Sequence, residues 1–482
     1  METVTREQIE AALRRMGLGE GDIVLLHSSV ASLGQVDEGA EAVIQAFLNV
    51  LGTDGTLVVP TFGALGTITE VLRRRPDAVQ SVHPKASVAA VGAAAEALCR
   101  DHWKAELAHG PDTPYQRLAD MGGYICLLGV DQDRNTTLHT VEELLRLPYL
   151  STTAEVTFDT PEGSVTKSWP FFPGPHRDFI GLDRRLREAG KVRLSRLGSA
   201  VVRLMKAGDL IEFCVALGQK EPAFVLCDNP ACADCVRQRA ALRRARYGAE
   251  SFQLATAASL AGRYVDEIAD TCLAAGVERV ELDGLRGLPL PRLKAADIAQ
   301  AVSGLRDRGL QVCALRLAGV GAAFAPVLNA AADLQVRRIV MPLTDRAAAY
   351  VTDAAERGIQ VSFANRAMAN EVVSDIMLAL RSRGLTAGLT FSPADFAQVG
   401  ENPFLNSYRN RLRRFIDQVD VEDGLFDGTP RELARGNAEI KEIVSILRCC
   451  SFSGFMVLGP RNRCGGGLAA AVAAFDRLLE TM

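Results

Sequence analysis

A chain of 482 residues that is 48% hydrophobic and 23% charged has apolar material for more than one core, which excludes a disordered protein. Its formal net charge of −4 excludes the basic face that nucleic acid or an anionic membrane requires. No apolar run approaches the ~20 residues of a membrane span, Met1 to Gly21 has the pattern of an amphipathic helix and not of a signal peptide, and eleven scattered cysteines fit reduced thiols, so the expected compartment is the cytoplasm.

In chain order, Asp22 to His27 reads as a buried strand, Glu38 to Leu51 as a helix and Gly55 to Pro60 as a second strand. Ser87 to Cys99 has helical periodicity, Tyr124 to Val130 reads as strand, a helix is expected from Thr137 to Leu145, and Ala154 to Lys167 reads as a hairpin turning at Pro161-Glu162-Gly163. The alternation predicts an α/β domain with a mixed sheet. From Arg237 to Glu250 the chain becomes an Ala- and Arg-rich run without strand signals, which reads as a helix leading to a linker and places a boundary near 245. Beyond it, eight short apolar strands are each followed by an amphipathic helix: Phe252–Thr256, Val277–Asp283, Leu310–Arg316, Arg337–Leu343, Ile359–Asn365, Thr386–Ser392, Arg414–Asp420 and Ser451–Leu458. Eight repeats over about 230 residues predict a (β/α)8 barrel. The expected architecture is therefore an α/β domain at 1–245 and a TIM-like barrel at 246–482.

All six histidines fall in the first 176 residues, and one carries most of the chemistry. His139 and Glu142 are three apart on an expected helix that follows an apolar strand, so they share a face and the carboxylate can orient the imidazole. Histidine is the side chain whose ordinary pKa of about 6.5 suits a general base at neutral pH. The competing reading is a buried helix histidine satisfied by its neighbour.

Four segments, His27 to Gly34 with Gly55 to Phe62, His83 to Gly92, Gly110 to Tyr115, and Asp133 to Glu142, together resemble the aminoglycoside 3-N-acetyltransferase (antibiotic N-acetyltransferase) family over roughly residues 5–235. The resemblance implies acetyl-CoA as cosubstrate, a small-molecule amine as acceptor, His139 as base and Glu142 as its support. It implies a CoA and substrate cleft bordered by His27, Ser28 and Ser29, with Thr137 as a further cofactor contact. His83 to Ser87 is expected to open a helix whose free N–H groups could seat a CoA phosphate, with Ser87 as cap or donor. A polycationic acceptor calls for carboxylates, and Asp133, Glu143 and Asp178 are the candidates; His176, in a segment resembling one near the family's cleft, is a further substrate candidate.

Cys227, Cys232 and Cys235 have C-x4-C-x2-C spacing close to a zinc knuckle, with Cys214 as the expected fourth thiolate and a structural zinc as the expected ion. The barrel, through Gly276 to Asp283 and Arg306 to Val312, resembles the xylose isomerase-like sugar-phosphate isomerase/epimerase group. That group holds a divalent metal with Glu, Asp and His, whereas this barrel has no histidine and carries Asn365 where a Glu is expected. Its usual metal site is expected to be lost, leaving Asp283, Asp395, Asp420, Glu422 and the Gly465-Gly466-Gly467 turn as strand-end candidates. The barrel is then expected to position the first domain, join it into a homodimer or bind a sugar-like ligand. Two rival functions accompany the acetyltransferase: a biosynthetic N-acyltransferase acting on a non-aminoglycoside natural-product amine, and a barrel that works as an isomerase or epimerase or as a ligand-binding scaffold.

Overall fold

The computed structural model describes residues 3–63, 65–174, 176–319, 324–463 and 466–482. The chain divides into two compact units, Met1–Gln238 and Arg239–Met482, and the division falls within the helix Ala233–Gly248, slightly ahead of the boundary expected near 245. Gly465 of the expected glycine turn lies outside the described residues. Among the described residues no helix is long and apolar enough to cross a membrane.

The first unit contains β1 (Ile23–Ser28), β2 (Thr56–Pro60), β3 (Val79–Gln80), β4 (Val88–Gly92), β5 (Tyr124–Leu128), β6 (Val156–Thr160), β7 (Gly163–Lys167), β8 (Arg193–Leu197) and β9 (Ala200–Lys206). Seven of them form one mixed sheet in the order β3-β4-β2-β1-β5-β9-β8, and β6 and β7 form a separate hairpin. β1 is parallel to both β2 and β5 and is apolar on both faces, as a central parallel strand must be when helices cover it. One face packs on the helices Arg6–Arg15 and Gly39–Leu51 through Ile9, Leu13, Val43, Phe47 and Leu51.

Two elements depart from the expected ones, each for its own reason. Ser87 to Cys99 is not one helix: Val88–Gly92 pairs antiparallel with β2, from Pro60 opposite Val88 to Thr56 opposite Gly92, and only Ala95–Cys99 is helical. The ladder bonds and burial gained at the sheet outweigh the modest helix preference of Ala89 and Ala90. The β8–β9 hairpin, which zips along β5, is hidden in the sequence because Arg193, Arg196 and Arg203 interrupt its apolar residues.

In the second unit eight parallel strands close into a barrel: Gln253–Ala257, Arg279–Leu282, Gln311–Arg316, Arg338–Pro342, Gln360–Ala364, Gly388–Phe391, Ile416–Val421 and Phe455–Leu458, the last pairing with the first from Gln253 opposite Phe455 to Thr256 opposite Leu458. Each expected strand has its counterpart. The apolar core lies largely between strands and surrounding helices, with Phe363, Phe391, Val444 and Phe475 fully buried. The fold class is α/β, a mixed-sheet domain followed by a (β/α)8 barrel.

Candidate active site

The order of the first sheet determines where a ligand can sit. The chain runs from β1 to β2 on one side, whereas β5 lies on the other, so a crevice opens where the connections leave the carboxyl ends of β1 and β5 in opposite directions. A cavity of about 450 Å³ occupies this place. Its walls come from Ser28 and Ser29 at the end of β1, Pro60 and Phe62 at the end of β2, Gly129 and Val130 after β5, and Asp133, Asn135, Thr136 and His139 at the entry to the next helix. Gly129 has φ of +68°, and a Cβ there would fall 1.7 Å from the Ser32 hydroxyl, so only glycine lets β5 turn away at this point.

His139 lies on the helix Thr137–Leu145 with its side chain 26% exposed. Its Nδ1 donates to Glu142 Oε2 at 2.9 Å, the assignment that leaves Nε2 as the basic nitrogen. Burial lowers the pKa of His139, Glu142 opposes that shift, and His109 and Arg177 add to it, so the ring is held neutral and able to accept a proton. Glu142 is itself fully enclosed; its other oxygen receives Arg177 Nε and, at 3.5 Å, the Tyr149 hydroxyl. Arg177 also stacks over the Tyr149 ring at 4.9 Å. A buried carboxylate that bonds an imidazole with one oxygen and a guanidinium with the other fixes the ring's tautomer.

A second pair stands beside the first. His109 Nδ1 lies 2.9 Å from Glu143 Oε1, the His109 backbone N–H donates to Glu143 Oε2 at 2.8 Å, and the His109 ring centroid is 5.3 Å from that of His139. Neither His109 nor Arg177 was among the expected site residues. Nothing in the local spacing signals them, since His109 is 34 residues from Glu143 and Arg177 is 35 from Glu142.

The other expected residues divide. His27, Ser28, Ser29 and Asp133 line the cleft with His139. Burial lowers the pKa of His27 to about 3, and its Nε2 has no hydrogen-bond partner among the described residues. Glu143 is not an open acceptor carboxylate, because both its oxygens are taken by His109 in a fully buried setting. His83 and Ser87 do not open a helix and do not line the cleft. The His83 ring stacks on His102 at 4.6 Å and packs against Trp169 at 4.2 Å, and Ser87 accepts a hydrogen bond from Thr61 at 2.9 Å on the run into β4. The Thr137 hydroxyl is fully buried off the cleft wall, and Asp178 caps the helix Phe179–Glu188 by accepting from Gly181 N at 3.1 Å.

His176 joins a different group. Its ring nitrogen and the sulfurs of Cys227, Cys232 and Cys235 lie within 4.8 Å of one another. Cys214, expected as the fourth thiolate, is buried in the helix Ala207–Lys220 outside this set, so the fourth member of the group is an imidazole from 51 residues before Cys227 instead of a nearby cysteine.

In the second unit a cavity of about 540 Å³ opens at the carboxyl ends of the barrel strands, lined by Asp283, Asp395, Asp420 and Glu422 among others. These carboxylates are already engaged. Arg316 bonds both Asp420 and Glu281, Arg461 bonds Asp395 at 2.6 Å and donates its backbone N–H to Glu422 at 3.0 Å, and Ser259 donates to Asp283. Burial and the nearby Asp420 raise the pKa of Glu422 to about 7. Asn365 is turned to structure, exchanging hydrogen bonds with the Ser392 backbone.

Comparison with known proteins concerns the first unit. The family model for aminoglycoside 3-N-acetyltransferase matches residues 25–64 and 63–218. Aminoglycoside N(3)-acetyltransferase VII of Streptomyces paromomycinus is 33% identical over 264 residues, covering 44% of this chain and 91% of that protein. Aminoglycoside N(3)-acetyltransferase VIII of Streptomyces fradiae is 31% identical over 261 residues, again 44% of this chain and 91% of the relative. Among solved structures, aminoglycoside acetyltransferase AAC(3)-Xa is similar at 30% identity and a TM-score of 0.42, covering 45% of this chain and 93% of that one. Through the unit that carries the His139 cleft, this chain belongs to the aminoglycoside 3-N-acetyltransferase family and is an N-acetyltransferase.

Proposed function

We propose that the first unit transfers an acetyl group from acetyl-CoA to an amine of an aminoglycoside or aminoglycoside-like small molecule, with His139 as general base and Glu142 as its support. The observation that carries this reading is His139 at the wall of the cleft, its Nδ1 bonded to the buried Glu142 and its Nε2 left basic. The relatives named as aminoglycoside N(3)-acetyltransferases support the acceptor class. In the transfer, the neutral amine attacks the thioester carbonyl while both are held in the cleft, which removes much of the entropic cost of a bimolecular step. As the new C–N bond forms, Nε2 takes a proton from the now positively charged nitrogen of the tetrahedral adduct, the adduct collapses with cleavage of the C–S bond, and the departing CoA thiolate receives that proton from the imidazolium. Ser28, Ser29 and Asp133, on the same wall, are the residues assigned to hold the two substrates. We further assign zinc to the His176 and cysteine group, and the cytoplasm as compartment.

His139→Ala is expected to fold as the parent does and to lose about 10²–10⁴-fold in kcat for acetyl transfer, read as free thiol released from acetyl-CoA. Unchanged turnover removes His139 from the mechanism. One observation favours a second reading: the relatives match only 44% of the chain, and the barrel is outside the matched family region. A biosynthetic N-acyltransferase acting on a different natural-product amine would fit an added ligand-binding barrel, and a panel of aminoglycosides and unrelated amines offered with acetyl-CoA separates the two.

A further inference from the structure

Four soft or borderline donors converge around His176, whose chain neighbour Arg177 bonds the carboxylate that holds the base. His176 Nδ1 lies 3.2 Å from Cys235 Sγ and 3.6 Å from Cys232 Sγ, and the sulfurs of Cys227 and Cys235 are 3.5 Å apart. These separations are too long for a disulfide, whose S–S bond is about 2.05 Å. They are close to the edges of a tetrahedron around zinc, about 3.5–3.8 Å for Zn–S near 2.3 Å and Zn–N near 2.0 Å. Three thiolates and an imidazole form a closed, four-coordinate set of the structural type.

The residue after His176 is Arg177, whose Nε donates to Glu142. Its Nη1 donates to Gln238 Oε1 at 2.7 Å, and Gln238 lies one helical turn after Cys235 on the helix Ala233–Gly248. Gln238 also reaches the His176 carbonyl at 3.5 Å. The metal donors and the groups that hold Arg177 thus alternate along the same two segments. Fixing His176 to Cys235 fixes the two anchors of the guanidinium, whose side chain is only 3% exposed. The guanidinium in turn fixes Glu142, and Glu142 fixes the tautomer of His139.

We propose that His176, Cys227, Cys232 and Cys235 bind one zinc ion, and that this ion is a positioning element for the catalytic pair, acting through Arg177, Gln238 and Glu142. The coupling to catalysis rests on the acetyltransferase reading given above; the metal site does not. Zinc takes no part in the bond changes of acetyl transfer.

The test uses the full chain, purified without added metal or chelator. Elemental analysis is expected to give about one zinc per chain, falling to background in Cys232→Ser and His176→Ala. Zinc below about one fifth of an equivalent, with no uptake on titration with zinc chloride, overturns the site. Because the variants could fail to fold, the parent protein is also stripped with a strong chelator under native conditions and then reloaded with zinc. Stripping is expected to lower Tm, to cut kcat at least tenfold with less than a twofold change in KM for acetyl-CoA, and to be reversed by zinc. Bound zinc whose removal leaves kcat unchanged overturns the positioning role. A readout independent of turnover is the imidazole 15N spectrum of histidine-labelled protein, which has only six histidines to resolve. With zinc, His139 should show one tautomer protonated at Nδ1; after stripping it should show a mixture. If the protein acetylates no amine, this spectrum still decides the positioning claim, and only the functional reading fails.

Discussion

Glu142 is where the fewest atoms decide the most. It is buried between His139 and Arg177, so the charge that orients the base also neutralises a guanidinium that has almost no contact with solvent. Glu142→Gln removes both effects at once. The expected result is a fall in kcat of about 10²-fold or more, because the amide can present either donor or acceptor to His139 and no longer fixes its tautomer. It should also lower stability by about 3–5 kcal/mol, because Arg177 is left buried without a carboxylate. A urea melt beside the activity assay checks both, and a variant as stable as the parent would show that Arg177 finds another counter-charge. The pair itself was readable from three-residue spacing on an expected helix. Arg177 and His109 were not, because both reach their carboxylates across more than thirty residues and only tertiary folding brings them there.

At the scale of elements, the site depends on how β1 and β5 end. Both strands were legible from their apolar runs, and the crevice between them follows from the sheet order, which no local pattern contains. Gly129 is the residue on which that geometry turns. Gly129→Ala is expected to cost about 2 kcal/mol or more, from the left-handed backbone and the collision with Ser32, and to narrow the cleft. The check is a shift in the urea midpoint without a change in m. Removing the collision with an added Ser32→Ala should recover only part of the loss, since the backbone term remains. The segment from Ser87 to Cys99 teaches the opposite lesson: its alanine-rich pattern favours helix, yet pairing with β2 claims Val88–Gly92 as strand and leaves only Ala95–Cys99 helical.

The whole molecule has two separate hydrophobic cores, one in each unit, and two distinct sets of perturbed groups. In the first unit burial lowers the pKa of His27 and His102 to about 3 and, with help from His102 and His109, that of His83 to about 2. These rings stay neutral when folded but charge when unfolded, so their contribution is complete above about pH 6.5 and is lost as the pH falls, at about 1.4 kcal/mol per pH unit for each. In the barrel the pKa of Glu422 is raised to about 7, above the ordinary carboxylate range. Its contribution is complete in mild acid, below the unfolded value, and is lost as the pH rises through 7. Calorimetry should therefore show two transitions with opposite slopes between about pH 4.5 and 6.5, and Glu422→Gln should flatten only the barrel's. Transitions that move together would refute the assignment.

Strand and helix periodicity, the eightfold repeat of the barrel, the His139–Glu142 spacing and the cysteine cluster are all written in short stretches of chain, because each depends on neighbours within a turn or a strand. The exchange of Cys214 for His176, the pairing of His109 with Glu143, the capture of Val88–Gly92 as a strand between β2 and β3 and the anchoring of Glu142 by Arg177 came from contacts between distant segments. Such contacts are chosen by how the elements pack and which buried polar groups must find partners, and that selection exists only once the chain has closed on itself.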